Sequence, residues 1–438
     1  MATGKLTVAE VTLWGRVIGA VSWEEKRQVA HFEYDPTFRQ SGIELSPFTM
    51  PLSDRIYSFP ALSRETFKGM PGLLADSLPD DFGNALIDAW LATQGRTADS
   101  FNSVERLCYM GTRATGALEY APALGPKTGQ SASVDIAALV TLASAVLRKK
   151  HTLSTSLSAA LGDKPINDIL RVGTSAGGAR AKAVIAWNRD TDEVRSGQID
   201  AGPGFTYWIL KFDGVDGNKD REVADPQGYG LIEYAYYLMA SAAGITMEES
   251  RLLHEQNRSH FMTRRFDRVN DGPKLHMQSL GALEHFDYRK PGAYSYEQAL
   301  LTIRKLGLGI DAVEQQFRRM AFNVIARNQD DHVKNISFLM NPQGQWALSP
   351  AYDVIYSYNP GGEWTGKHQM TLNGKRDAFT LDDFVACAQG CSLQKGRAED
   401  IVNDVQDAVR HWADYAESAG VSGEQLRKIE RELRLDLV

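Results

Sequence analysis

Ala326-Arg-Asn-Gln-Asp-Asp-His-Val-Lys-Asn335, with Leu348-Ser-Pro-Ala-Tyr-Asp-Val-Ile-Tyr356 behind it, decides how the chain reads. The first stretch follows a helical apolar pattern at Val313, Phe317, Met320/Ala321 and Val324, and it precedes the strand-like Ile336-Ser-Phe-Leu-Met340. Asp330 and Asn335 have the spacing Asp-x4-Asn, and Asp353 stands eighteen residues past Asn335. One Asp facing a hydroxyl, an Asn on Mg2+ and a later Asp on Mg2+ form a phosphoryl-transfer set. Chemistry explains the residue types. Mg2+ takes hard oxygen ligands and keeps several waters, so one carboxylate, one amide and phosphate oxygens suffice. The attacking hydroxyl needs a carboxylate nearby to take its proton. A plainer reading competes, because Asp and Asn also cluster in turns and helix caps for local hydrogen-bonding reasons.

The parts upstream tip the balance. A strand pattern at Asp168-Ile-Leu-Arg-Val172 leads into the small-residue loop Gly173-Thr-Ser-Ala-Gly-Gly-Ala-Arg-Ala181 and a second strand, Lys182-Ala-Val-Ile-Ala-Trp187. Adjacent glycines let backbone N–H groups approach an anion. The loop is neither a Walker A motif nor Gly-x-Gly-x2-Gly, and an ordinary hairpin accounts for it equally well. After a polar turn from Asn188 to Gln198 comes Phe205-Thr-Tyr-Trp-Ile-Leu-Lys-Phe212, whose alternation puts Tyr207, Ile209 and Lys211 on one face. Lys211 either reaches nucleotide phosphates from a strand floor or snorkels to water. The next helix is marked by Ile232, Ala235/Tyr236, Met239 and Ala242/Ala243, with Gly244 ending it. Glu233 on that helix is a candidate partner for Lys211. A short strand is expected at Ser259 to Phe266, and mostly helix beyond it. Glycine loop, strand lysine, helix, strand, then Asp-x4-Asn and a later Asp is the order of a two-lobed, kinase-like phosphotransferase.

The fold class expected is α+β, with a strand-rich first half and a helical catalytic lobe. Strands are expected at Leu6 to Trp14, Ala20 to Trp23 and His31 to Tyr34, with a turn at Gly15 to Gly19. A helix from Ala85 to Trp90 has Asn84 as its candidate cap. The Pro-, Gly- and Ser-rich run from Pro122 to Val134 marks a boundary, followed by an amphipathic helix from Ile136 to Lys149. Near the end, Ser422-x-x-Gln425 predicts a capping box opening a helix to about Leu437. The division is an N-terminal α/β unit over 1–122, a small lobe over 134–268 and a catalytic lobe over 269–438.

The 438 residues carry a net charge of −7, 43% hydrophobic and 24% charged residues. That excludes a disordered, collagen-like or membrane-embedded chain and argues against coating nucleic acid unaided. Cys108, Cys387 and Cys391 are too few for a disulfide framework or a four-cysteine zinc site, and they read as free thiols of a cytoplasmic protein. No stretch approaches the roughly 18 apolar residues of a membrane span. His332 has no second His or Cys at zinc-ligand spacing, and Ser175 lacks a Gly-x-Ser-x-Gly context. The pairs Lys149-Lys150 and Arg264-Arg265 read as a solvated face or local ion pairing.

At these residues the sequence resembles the HipA family of bacterial toxin kinases, from the N-terminal strands to about Tyr358. Asn328-Gln-Asp-Asp-His-Val-Lys-Asn335 and Leu348-Ser-Pro-Ala-Tyr-Asp353 carry the resemblance. Arg265-Phe-Asp-Arg268, Ser175-Ala-Gly-Gly-Ala-Arg-Ala-Lys182 and Leu78-Pro-Asp-Asp-Phe-Gly83 support it. The resemblance implies ATP and Mg2+ as cofactors, Asp330 as base, Asn335 and Asp353 as metal ligands, and Lys211 on the ATP phosphates. It further implies ATP contacts from Ala176, Gly177, Gly178, Ala179, Arg180, Lys182, Arg265, Phe266, His332, Lys334 and Tyr352. Ser175 matches the family's autophosphorylated serine, where a phosphate would block the γ-phosphate site by charge and shape. The implied partners are a HipB-like helix-turn-helix antitoxin, operator DNA mainly through that antitoxin, and a protein substrate of the aminoacyl-tRNA synthetase type; a dimer within the antitoxin complex fits. No membrane partner is implied. Two competing readings stand beside this one: a lipid or small-molecule kinase, since Asp-x-His-x2-Asn occurs there too, and a nucleotide-bound scaffold that holds an antitoxin on DNA.

Overall fold

The computed structural model describes residues 5–125, 134–149, 180–215, 219–220, 223–224, 228–255, 257–269 and 273–437. The expected strand 168–172 and most of the glycine loop, including Ser175, Ala176, Gly177, Gly178 and Ala179, lie outside these residues.

The N-terminal unit is an antiparallel sheet in the order Val29–Tyr34, Arg16–Glu24, Val8–Leu13, Leu118–Ala121. Val11, Leu13, Ile18, Val21 and Phe32 share its buried core with Leu86 of the helix Asp81–Thr93 and Leu107 of the helix Ser103–Met110. The first hairpin turns at Trp14 and Gly15, both at positive φ, so the second strand starts at Arg16, inside the expected turn. The Asp81–Thr93 helix starts earlier than its apolar pattern suggests. Its cap is Asp80, whose carboxylate accepts the Gly83 N–H at 2.6 Å, and Asn84 lies inside the helix.

The second sheet runs Ser250–Glu255, Arg258–Arg264, Phe205–Lys211, Lys182–Asn188, Glu193–Ser196. Ser250–Glu255 was not anticipated, and Glu193–Ser196 occupies the expected polar turn; both strands are polar edges whose composition imitates loops. The N-terminal unit and this sheet share one apolar core, in which Val11, Phe32 and Leu86 belong with Ile185, Trp208 and Leu210.

A second core gathers Phe317, Phe322, Phe338, Phe384, Ile401 and Trp412 of the catalytic lobe with Tyr236, whose helix lies within the range expected for the small lobe but packs here. Its helices include Tyr229–Ala242, Ile310–Ile325 and Arg397–Arg410. The lobe is not purely helical. Strands His276–Ser279, Ser337–Met340 and Trp346–Leu348 form an antiparallel sheet in that order. The helix opened by Ser422 ends at Glu430, short of the expected Leu437. Beyond it the tail turns back, with the Arg434 N–H on the Ile325 carbonyl at 2.9 Å and Arg327 Nε on the Glu432 carbonyl at 2.6 Å.

The N-terminal unit docks on the catalytic lobe through Gly72, whose N–H donates to His285 Nε2 at 3.0 Å. A Cβ at Gly72 would lie 2.0 Å from the Ala282 carbonyl oxygen, so only glycine permits this approach. All three cysteines are buried free thiols, and burial pushes the Cys108 thiol up to about 12. Among the described residues no helix is long and apolar enough to cross a membrane.

Candidate active site

The site forms because a hairpin carries its two halves. Strand Ser337–Met340 begins two residues after Asn335, and its partner Trp346–Leu348 ends five residues before Asp353. Antiparallel pairing therefore returns Asp353 to the side from which Asn335 departs, and both line one small cavity of about 30 Å³. The helix Ile310–Ile325 delivers the segment 326–335. Arg327 at its end takes φ 57, and Asp353 takes φ 55, a left-handed conformation that non-glycine residues adopt at a cost.

Buried bonds beneath this segment hold Asp330 at the surface. Asp331 is fully buried and accepts the Tyr296 hydroxyl at 2.6 Å and the Gln369 N–H at 2.7 Å, and it pairs with His368 Nδ1 at 2.8 Å. Asn328 Nδ2 donates to Asn323 Oδ1 at 2.9 Å. Asp330, with a third of its side chain exposed, receives the Trp364 indole N–H on Oδ1 at 2.7 Å. Asn335 Nδ2 donates to the Asp330 carbonyl at 3.0 Å, which leaves its amide oxygen as a hard donor beside the Asp353 carboxylate. This donor set suits Mg2+ with phosphate oxygens and water completing the shell. His332 Nε2 lies 3.8 Å from Asp330 Oδ1, with its ring against Tyr288 and Trp364.

Lys211 joins from the small-lobe sheet. Its ammonium donates to Glu233 Oε1 at 2.5 Å and also to Asp353 Oδ1, so it does not snorkel. Burial opposes its charge, but Asp353 and Glu233 outweigh burial and raise its pKa. Burial likewise opposes ionisation of Asp353, while Lys211 and then Lys182 hold that carboxyl far below the usual range. Burial raises Glu233, with Lys211 acting against it. Taking ions out of water costs several kcal/mol each, so a buried cluster of this kind is weak as a stability device. It fits a site built to meet charge.

The other expected contacts distribute unevenly. Lys182 opens its strand with Nζ 3.4 Å from Asp80 Oδ2. Arg180 stacks on Tyr229, 3.3 Å from the ring centroid, at the start of the Glu233 helix. Lys334 Nζ lies 5.5 Å from the Tyr288 ring centroid. Tyr352 is a strut, bonding the Lys334 carbonyl at 2.7 Å and Ser337 Oγ at 2.5 Å, with its ring 5.7 Å from Phe266. The Arg265 side chain points elsewhere. It is 5% exposed and bidentate on Asp267, at 2.9 and 2.7 Å, where Asp267 also takes the Gly116 N–H of the N-terminal unit. Sequence reasoning missed Trp364, Asp80 and the Asp331–His368 pair. The visible signals were an indole within the polar, glycine-rich run 359–367 and the place of Asp80 in the stretch Leu78–Gly83.

Two lobes, a strand lysine paired to a helix glutamate and an Asp-x4-Asn segment beside a second aspartate define the class: a kinase-like α+β fold. Comparison with known proteins then gives the family. The HipA N-terminal domain matches residues 9–121 and the HipA-like C-terminal domain matches residues 174–412, and the chain belongs to the HipA family. Among solved structures it is similar to HipA of Shewanella oneidensis MR-1, determined with HipB and operator DNA. Identity is 17% and the TM-score 0.65, over 97% of this chain and 94% of that one. A second structure, the Helicobacter pylori proinflammatory kinase CtkA, matches at 11% identity and TM-score 0.31, over 51% of this chain and 92% of that one. No curated protein matches the chain.

Proposed function

We propose that the chain is an ATP- and Mg2+-dependent serine/threonine-protein kinase acting as the toxin of a toxin–antitoxin pair. The observation that carries this reading is Lys211, bonded at once to Glu233 and to Asp353 beside the Asp330–Asn335 segment. Family membership supports the same class.

In this reading the Asp330 carboxylate accepts the proton of a serine or threonine hydroxyl. Lys211 meets the nucleotide phosphates, with Glu233 holding it in place. The Asn335 amide oxygen and the Asp353 carboxylate would hold Mg2+, which neutralises charge on the phosphates during transfer. The Asp331 network and Trp364 keep Asp330 oriented without supplying protons themselves. Arg180, Lys182, His332 and Lys334 are the further nucleotide contacts in this reading, with Phe266, Tyr352 and the Arg265 backbone as its proposed wall. Ser175 is the proposed autophosphorylation site, and a translation-related protein of the aminoacyl-tRNA synthetase type the proposed substrate. The similar Shewanella structure contains HipB and operator DNA, which supports a helix-turn-helix antitoxin as partner and DNA contact mainly through it. Cytoplasmic residence follows from these roles.

The test is intact-protein mass after incubation with ATP and Mg2+, beside Asp330→Asn and Ser175→Ala. One added phosphate in the wild type, lost in both variants, is the expected result. Unmodified wild type that gains nothing would overturn protein phosphorylation as the activity.

A further inference from the structure

Lys182 and Lys211 are direct partners in the antiparallel pairing of their strands, so both side chains leave the same face of the sheet. Opposed residues have Cβ atoms roughly 4.5–5.5 Å apart, and like charges so placed repel. Each lysine is met by a carboxylate from another part of the molecule. Glu233, on the helix Tyr229–Ala242 that packs into the second core, meets Lys211. Asp80, in the N-terminal unit, meets Lys182 with both side chains almost wholly buried, 5% and 6% exposed. Lys182 also acts electrostatically on Asp353, a proposed metal ligand.

A few residues away, Asp76 fixes the same acidic turn to the catalytic lobe. Its two oxygens take the Ser279 N–H at 2.6 Å and the Ser279 hydroxyl at 3.0 Å, at the cap of the helix Leu280–Leu283. Burial raises the Asp76 carboxyl, and Lys334 from the Asp330–Asn335 segment acts against that rise. The turn 76–80 is thereby anchored to one lobe while its second carboxylate reaches the lysine of the other.

We propose that Asp80 is a positioning residue of the nucleotide site: the N-terminal unit uses it to hold the Lys182 ammonium at the phosphates and away from Asp353. Without that carboxylate Lys182 would turn to Asp353, neutralising a metal ligand and leaving the phosphates a cation short. Docking of the N-terminal unit and binding of the triphosphate are then one event, since the same turn serves both. This rests on the phosphotransferase reading above.

The experiment compares wild type, Asp80→Asn and Asp80→Ser by calorimetric binding of two probes, Mg·AMP-PNP and adenosine. Both replacements remain good helix caps, so the start of the Asp81–Thr93 helix is preserved while the charge is removed. The expected result is Mg·AMP-PNP binding weakened about tenfold in both variants, with adenosine binding unchanged. In a Lys182→Met background, Asp80→Asn should cause no further loss, because Asp80 acts through Lys182. Equal loss for both probes would mean general loosening and overturn the proposal. Variants that bind Mg·AMP-PNP as wild type does would overturn the assignment to Asp80 alone. Wild type that binds no Mg·AMP-PNP would overturn the nucleotide site itself, and this proposal with it.

Discussion

Lys211 shows how a single residue changes meaning once its surroundings are known. In the sequence it is a lysine in a strand that is otherwise apolar and aromatic, and snorkelling is the plainer explanation of it. In the folded chain two carboxylates from different segments converge on its ammonium. Glu233 is 3% exposed, so replacing it with the isosteric glutamine leaves packing intact and removes one of those two charges. We expect Glu233→Gln to raise the KM for ATP by about tenfold, with a smaller effect on kcat, because Lys211 loses its brace but keeps Asp353. Steady-state kinetics at varied ATP check this, and an unchanged KM would show that Glu233 does not set Lys211. Asp330, Asn335, Asp353 and Lys211 were legible because each sits in a local pattern whose chemistry is recognisable. Trp364 and Asp80 were not, because an indole and a helix-capping aspartate have ordinary roles until their partners are known.

The elements that matter most are the shortest. The hairpin Ser337–Met340 and Trp346–Leu348 sets Asn335 and Asp353 in one cavity, and only its first strand announced itself by an apolar run. Periodicity found the helices Ile136–Lys149, Tyr229–Ala242 and Ile310–Ile325, since burying an amphipathic face demands a 3.6-residue pattern, while Arg397–Arg410 was expected only as part of a mostly helical half. It failed on the edge strands Glu193–Ser196 and Ser250–Glu255, where mostly polar side chains and one paired flank leave little pattern to read. The four-residue helix Gly72–Ala75 was also invisible, yet it sets its backbone directly against Ala282 and His285 of the catalytic lobe. A methyl group at Gly72 would press on the Ala282 carbonyl and on the His285 ring. We therefore expect Gly72→Ala to cost about 1–3 kcal/mol, the usual penalty for overpacking a fitted contact. Urea unfolding would measure it, and a variant as stable as wild type would show that the helix shifts at no cost.

At the scale of the whole molecule, His285 ties the N-terminal unit to proton concentration. Its Nε2 accepts the Gly72 N–H, which requires the neutral ring. Burial pushes the imidazole down to about 4 in the folded chain, below the roughly 6.5 of an unfolded histidine. The unfolded state therefore binds the proton first as pH falls. The associated stability is fully present above about pH 6.5 and is lost towards pH 4, at up to about 1.4 kcal/mol per pH unit. Urea unfolding of wild type and His285→Asn across that window should show a shallower pH dependence for the variant. Equal slopes would place the proton-sensitive contact elsewhere, with His276, also pushed down to about 4 by burial, as the next candidate.

By itself the sequence determined the family, the kinase-like α+β class, several of the long helices and the residue types that the phosphotransferase reading uses. These are properties of local pattern, because helix periodicity and motif spacing are written within a few tens of residues. Only the tertiary structure decided that the N-terminal unit and the small lobe share one apolar core, that Lys211 is braced rather than solvated, and that Trp364 meets Asp330 and Asp80 meets Lys182. A buried charge can exist only where its counter-charge is supplied, and here the counter-charges come from segments that meet only once the chain has folded.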